Sequence, residues 1–447
     1  MAFAKRTTAQ VGRSGWLVAL FLAVMAVPVA SAVEIRHWQQ PDGAQVYFVE
    51  SHANPILDIH VAFDAGSRRD PADKPGLASM TAALLDAGTR SLSEERLRER
   101  LADAAASLST DAGLESAGIR LRTLSRAPER NAALDVLRAV ISQPVFPPAV
   151  FEREKRRAIE GQRQQETDAS YLADRALERQ IYGQHPYGRE AAVDVTTLTR
   201  LQRADVLAFW RSHYRPQSAV ISIVGDLNEG EARQLAATLL TGLPKGGAPL
   251  SPVPAVPLSS ANPAPVYLPH PGSQAHVAAG LPLFTRNDPD YFPLMVGNYI
   301  LGGGGFDARL MKELRDKRGL TYGASSELVP YQEAGPFSIG FSTRKDQARS
   351  ALGVMQETLR TFIEQGPTQA ELDQARANIV GGFPLRFDSN AKLLGYLAVI
   401  GWYRLPLDFL DRYPREVEKV TVESVREAWR RRVDPSRMAT VVVGATP

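Results

Sequence analysis

Apolar and polar positions alternate in strand fashion over Gln45-Val46-Tyr47-Phe48-Val49 and again over Ile56-Leu57-Asp58-Ile59-His60-Val61-Ala62-Phe63. The same signal returns two hundred residues later, in Val266-Tyr267-Leu268 and Ala275-His276-Val277-Ala278-Ala279-Gly280-Leu281. Helical periodicity predicts helices around 91–107, 147–179, 290–301, 348–365 and 369–382. Strands and helices that alternate irregularly, twice over, predict an α+β protein with sheets covered on one face by helices.

The halves also end alike. LTRLQRADVLAFWRSHYRPQSAVISIVGD closes the first and VEKVTVESVREAWRRRVDPSRMATVVVGA closes the second. Trp210 precedes Gly225 by the same spacing as Trp429 precedes Gly444, with a proline turn (Pro216, Pro435) between helix and strand. A shared helix, turn and strand at one spacing reads as a duplication. Between the copies, residues 245–265 (KGGAPLSPVPAVPLSSANPAP) have the composition of a semi-extended linker. The expected layout is a domain over 33–244, the Pro-rich linker over 245–265, and a homologous domain over 266–447, each an antiparallel sheet covered by helices.

The first 32 residues stand apart. Lys5, Arg6 and Arg13 precede an apolar run from Trp16 to Ala30, and Ala30-Ser31-Ala32 supplies an A-x-A cleavage pattern, so a secretory signal peptide is expected, with an uncleaved membrane anchor as the alternative. Its three basic residues account for the formal charge of +3, which leaves the remainder balanced. Nothing at this level supports nucleic-acid binding, or membrane binding after the signal is cleaved. The chain contains no cysteine, which excludes disulfides, thiolate metal sites and a cysteine nucleophile. Export without disulfides suits a periplasmic location.

Chemistry is mostly missing. No two histidines stand three or four residues apart, and there is neither a GxSxG elbow nor a GxxxxGK[ST] loop. Gly302-Gly303-Gly304-Gly305 reads either as an anion cradle or as a flexible turn between a helix ending near Ile300 and one starting near Phe306. That second helix, FDARLMKELRDKRG, places Phe306, Leu310 and Leu314 on one face and stops at Gly319. Arg315 in its last turn suits the helix dipole, and Tyr322 falls in TYGASSELV, which reads as a strand. GLASMTAALLDAGT, residues 76–89, is a short helix of small residues with no ligand or base on it.

Together these segments resemble the pitrilysin/insulinase-type zinc peptidases, including mitochondrial processing peptidase. LRDKRGLTYG (314–323) behind a glycine-rich turn is similar to that family's C-terminal half. GLASMTAALLDAGT is similar to its GLAHxxEHxxxxGT segment, preceded by the turn Gly66-Ser67-Arg68, and YGQHPYGRE (182–190) resembles a family loop. The resemblance spans the chain beyond the signal. It places the two histidine ligands at Ser79 and Ala83, the glutamate base at Ala82, and the distal glutamate ligand at Gly161 in EKRRAIEG, with Glu160 one residue off. A one-residue shift turns a helical side chain by about 100°. None of the three ligands survives, so the resemblance implies no zinc in this chain. Arg315 and Tyr322 do match the family's Arg/Tyr pair, which implies transition-state or substrate support, and the glycine run resembles a shortened substrate-contacting loop. The implied protein is a noncatalytic, substrate-binding subunit of a heterodimeric zinc endopeptidase. Its partner would carry HxxEH and the zinc, with peptides as substrates. The alternative is a peptide-binding or scaffold protein of the same fold with no role in proteolysis.

Overall fold

The computed structural model describes residues 33–446 apart from Lys245, Gly247, Ala248, Leu258, Ser260 and Ala261. The expected signal peptide lies outside the described residues. The first sheet contains β1 (Arg36–Gln39), β2 (Gln45–Glu50), β3 (Ile56–Phe63), β4 (Ser107–Ala112), β5 (Ala117–Leu124) and β6 (Val220–Gly225), in the order β1-β2-β6-β3-β5-β4. The second contains β7 (Val266–Leu268), β8 (Gln274–Phe284), β9 (Ala324–Leu328), β10 (Gly335–Arg344) and β11 (Ala439–Val443), in the order β7-β11-β8-β10-β9. Without β1, the two orders are one order: each half sends its last strand between its first two.

That insertion qualifies the antiparallel expectation. The last strand arrives after a long helical crossover and lies parallel to the first strand, so β2–β6 and β7–β11 are parallel pairs. The other pairs are antiparallel.

The helices that concern the site are α1 (Leu77–Ala83), α2 (Pro148–Gln165), α3 (Ala169–Tyr182), α4 (Arg203–His213), α5 (Asn390–Tyr403) and α6 (Val422–Arg432). The continuous helix expected over 147–179 is broken between α2 and α3, because Asp168 caps α3 by accepting from the Tyr171 N–H. The repeated ends of the halves match in detail. Trp210 on α4 and Trp429 on α6 are both buried, and Gly225 and Gly444 both take positive φ, +151° and +94°. A Cβ at either glycine would collide with the backbone at the start of the neighbouring strand, Ile56 in one half and Gln274 in the other. Duplication has preserved a backbone contact as well as a sequence pattern.

Each sheet is covered from the opposite half. Leu57, Ile59, Val61 and Phe63 of β3 face the first half's own helices in one continuous core. The other face of that sheet lies under α5, a helix of the second half, and Gly401 sits so close to Tyr47 and Val220 that it admits no Cβ. Reciprocally, Ala169, Ala173, Leu177 and Ile181 of α3 pack on Ala278, Ala439, Val441 and Val443 of the second sheet.

The exchange buries a histidine. His60 sits on the α5 face of β3, where Gly118 on the adjacent strand leaves room for its ring. Both ring nitrogens lack a hydrogen-bond partner, and burial with Arg120 nearby lowers the pKa to about 3. The unfolded chain protonates His60 near its ordinary value of about 6.5. Folding must then discard a proton at acid pH, so His60 costs stability as pH falls from about 6.5 towards 3. Urea titrations at about pH 7 and about pH 4.5 should show wild type losing roughly 2–3 kcal/mol more than His60→Leu. Equal losses would show that His60 is solvated or protonated in the fold.

Candidate functional site

Helix α1 starts where glycine is required. Gly76 holds φ of +94° at the N-cap, and the Asp70 carboxylate accepts from the N–H groups of Gly76 and Ala78, both at 2.7 Å. Burial pushes Asp70 up to about 7, while those two N–H groups pull the other way. Leu77, Ala78, Met80, Thr81 and Ala82 are buried, and Ser79 and Ala83 are left on the open side.

That open side faces a cavity of about 820 Å³ lined by α1, α2, α3 and the 190–198 segment. Ser79, Ala83 and Gly161 all line it, so the three positions picked out as degenerate ligands do converge. Ala82, at the base position, does not line it and is only 2% exposed. Glu160 is exposed and pairs with Arg163, and it too stays outside the cavity. A hydroxymethyl, a methyl and a bare Cα offer no imidazole or carboxylate, so this donor set does not fit zinc. Among the described residues, no three His, Asp or Glu side chains are grouped to hold a metal ion.

The cavity is not chemically empty. Asp174 and Glu178 occupy one face of α3, with Glu190 opposite. They are open to the cavity but hemmed in by protein, and that desolvation, with Glu190 and Asp174 as neighbours, pushes Glu178 up to about 7. Asp174 is also raised, chiefly by burial. Arg175 is committed elsewhere, to Glu166 and to the carbonyls of Ala191 and Val193. Sequence reading overlooked these carboxylates. The signal was available in the Asp174/Glu178 spacing, which puts both on one helix face.

Arg315 and Tyr322 lie elsewhere on the surface, and neither lines this cavity. The helix expected over 306–319 is interrupted: a 3₁₀ turn at Gly305–Asp307 is followed by π-helical winding over Met311–Asp316. Leu310 and Leu314 are buried as expected, but Phe306 is 70% exposed. Arg315 lies over the Phe306 ring, 5.0 Å from its centroid, and reaches Asp316 at 3.4 Å. Tyr322 precedes β9 instead of belonging to it and is 88% exposed, so it packs against no sheet. The glycine run is not a free turn. Residues Tyr299–Gly303 continue the preceding helix as a π-turn, and Gly302 is buried where any Cβ would strike Ser326. Gly303 and Gly304 press against Asn298 and Tyr299, and only Gly305, with φ of +71°, has open space around it.

Two duplicated α+β halves, with a cavity lined by Ser79, Ala83 and Gly161 in the first, define a peptidase-like fold. Residues 45–194 match the family model described as insulinase (peptidase family M16), and residues 200–379 match the peptidase M16 inactive domain. The chain belongs to the M16, or insulinase, family, as a noncatalytic peptidase-like member. It is 25% identical to the non-peptidase homolog YmxG of Helicobacter pylori over 414 residues, covering 92% of this chain and 94% of that one. The crystal structure of a peptidase M16 inactive domain from Pseudomonas fluorescens superposes with a TM-score of 0.88 at 33% identity, covering 93% and 98% of the two chains. The periplasmic protease PqqL of Escherichia coli shares the fold, with a TM-score of 0.79 at 17% identity, and this chain spans 49% of its length.

If lost side chains alone separate this cavity from a zinc site, Ser79→His, Ala83→His and Gly161→Glu together should restore one. Equilibrium dialysis with metal analysis should find one zinc per triple-variant chain and none retained by wild type. A folded triple variant without zinc would show that the three positions do not converge closely enough.

Proposed function

We propose that this chain is the noncatalytic, substrate-binding subunit of a heterodimeric zinc endopeptidase. Its partner supplies HxxEH and the zinc, and this chain closes the peptide chamber and contributes Arg315 and Tyr322 across the interface. The observation that carries the reading is the separation between the two sets of residues. The Arg/Tyr pair stands exposed outside the chain's own cavity, together with an exposed Phe306, as a pair acting on a partner's site would have to. A guanidinium and a phenol are suited to donate to a substrate carbonyl and to the oxyanion formed from it. Gly303 and Gly305, the solvent-exposed members of the glycine run, would contact the peptide beside them. The signal peptide expected at residues 1–32 would direct the assembly to the periplasm.

A second reading, peptide binding or scaffolding without proteolysis, draws support from the cavity itself, which is about 820 Å³ and lined by the carboxylates of Asp174, Glu178 and Glu190. One experiment separates the two. The pure chain should cleave nothing, and an equimolar mixture with its HxxEH partner should be active. In that mixture Arg315→Ala should lower kcat by about 10²–10³-fold, and Tyr322→Phe by about tenfold. Unchanged turnover in both variants would leave the scaffold reading. Turnover with stoichiometric zinc in the pure chain would refute both.

A further inference from the structure

A second cavity, of about 620 Å³, lies where the two halves and the Pro-rich segment meet, and it has the opposite electrostatic character. Five arginines line it (68, 69, 215, 286 and 404) against two carboxylates, Asp64 and Glu333. Arg68 and Arg69 are already committed to Asp64, and Arg68 also to Glu115. Arg286 and Arg404 form no ion pair among the described residues.

Arg286 is nonetheless held in place. Its guanidinium lies over the rings of Tyr291 and Tyr403, 5.4 and 5.3 Å from their centroids, which leaves its in-plane N–H groups free to donate. Tyr403 is fixed in turn, because its hydroxyl donates to the buried Glu115 at 2.7 Å. Beside it, the Trp402 Nε1–H is buried and has no acceptor. Leu250 and Val253 of the Pro-rich segment add apolar side chains to the lining.

We propose that this cavity is a carboxylate-binding site whose ligand joins a carboxylate, held by Arg286 and Arg404 beside Trp402, to an apolar body lying on Leu250 and Val253. A peptide ending in a free carboxyl group and a short fatty acid both present that chemistry. The site is independent of the proteolytic partner and of Arg315, so it stands or falls on the chain alone.

The test uses the purified chain with tryptophan fluorescence and calorimetry as readouts. The probes are an N-acetylated tetrapeptide ending in leucine, its carboxamide twin, octanoate, and inorganic phosphate. The free acid should bind about tenfold or more tightly than the amide. Arg286→Gln should bring that ratio near one without changing amide binding, and Arg404→Gln should lower it severalfold. Trp402→Phe should abolish the fluorescence change. Octanoate displacing the peptide at lower concentration would identify the fatty acid as the source, and the reverse order would identify the peptide. Equal affinity for acid and amide, or phosphate competing as well as either acid, would overturn the proposal. If Arg286→Gln fails to fold, Arg404→Gln carries the same test.

Discussion

One buried carboxylate joins the halves. Glu115, 5% exposed, accepts from the Arg68 guanidinium at 2.8 Å, the Tyr187 hydroxyl at 2.5 Å, the Tyr403 hydroxyl at 2.7 Å and the Gln332 backbone N–H at 3.1 Å. Arg68 and Tyr187 belong to the first half, Gln332 and Tyr403 to the second. Taking a charge out of water costs several kcal/mol, and that cost is offset only when every partner is in place. The arrangement is therefore close to all-or-none: shifting one half leaves a buried anion short of two donors. Tyr187 also accepts from the Glu333 N–H at 3.0 Å, which extends the lock along the loop before β10. Both cavities inherit their shape from this hub, since Tyr331 lines each of them.

What the sequence made legible follows from what periodicity encodes. A strand such as Ile56–Phe63 shows itself because alternate residues must face an apolar core, and the observed limits are the expected ones. The helices at 348–365 and 369–382 were as plain, each with a continuous apolar stripe. Periodicity says that a face is covered and not by what. It could not show that α5 would cross to the first sheet and bury His60, a residue that alternation had put on a polar face. For the same reason Phe306 was assigned to the stripe of Leu310 and Leu314, although the protein leaves it outside, under Arg315.

The site was legible in its losses more than in its contents. A motif with blank positions can be recognised at Ser79, Ala83 and Gly161 because spacing survives substitution, and those residues do meet at one cavity. The carboxylates that now characterise that cavity come from α3 and the segment after it, far from the motif. The arginine-lined cavity was less visible still. Its lining is drawn from both halves and the segment between them, so no window of sequence contains it.

The reciprocal covering of the sheets by α3 and α5 bears on how such a chain can exist at all. A single repeat would own a helix with no sheet beneath it and a sheet face with no helix above it. Two copies cure both defects by trading helices, as domain-swapped dimers do. Here residues between the repeats tether the two copies, so the trade occurs at the effective concentration of a tether and no longer depends on how much protein is present. The covalent link makes the exchange self-contained at any dilution and lets the two halves carry different residues at equivalent places.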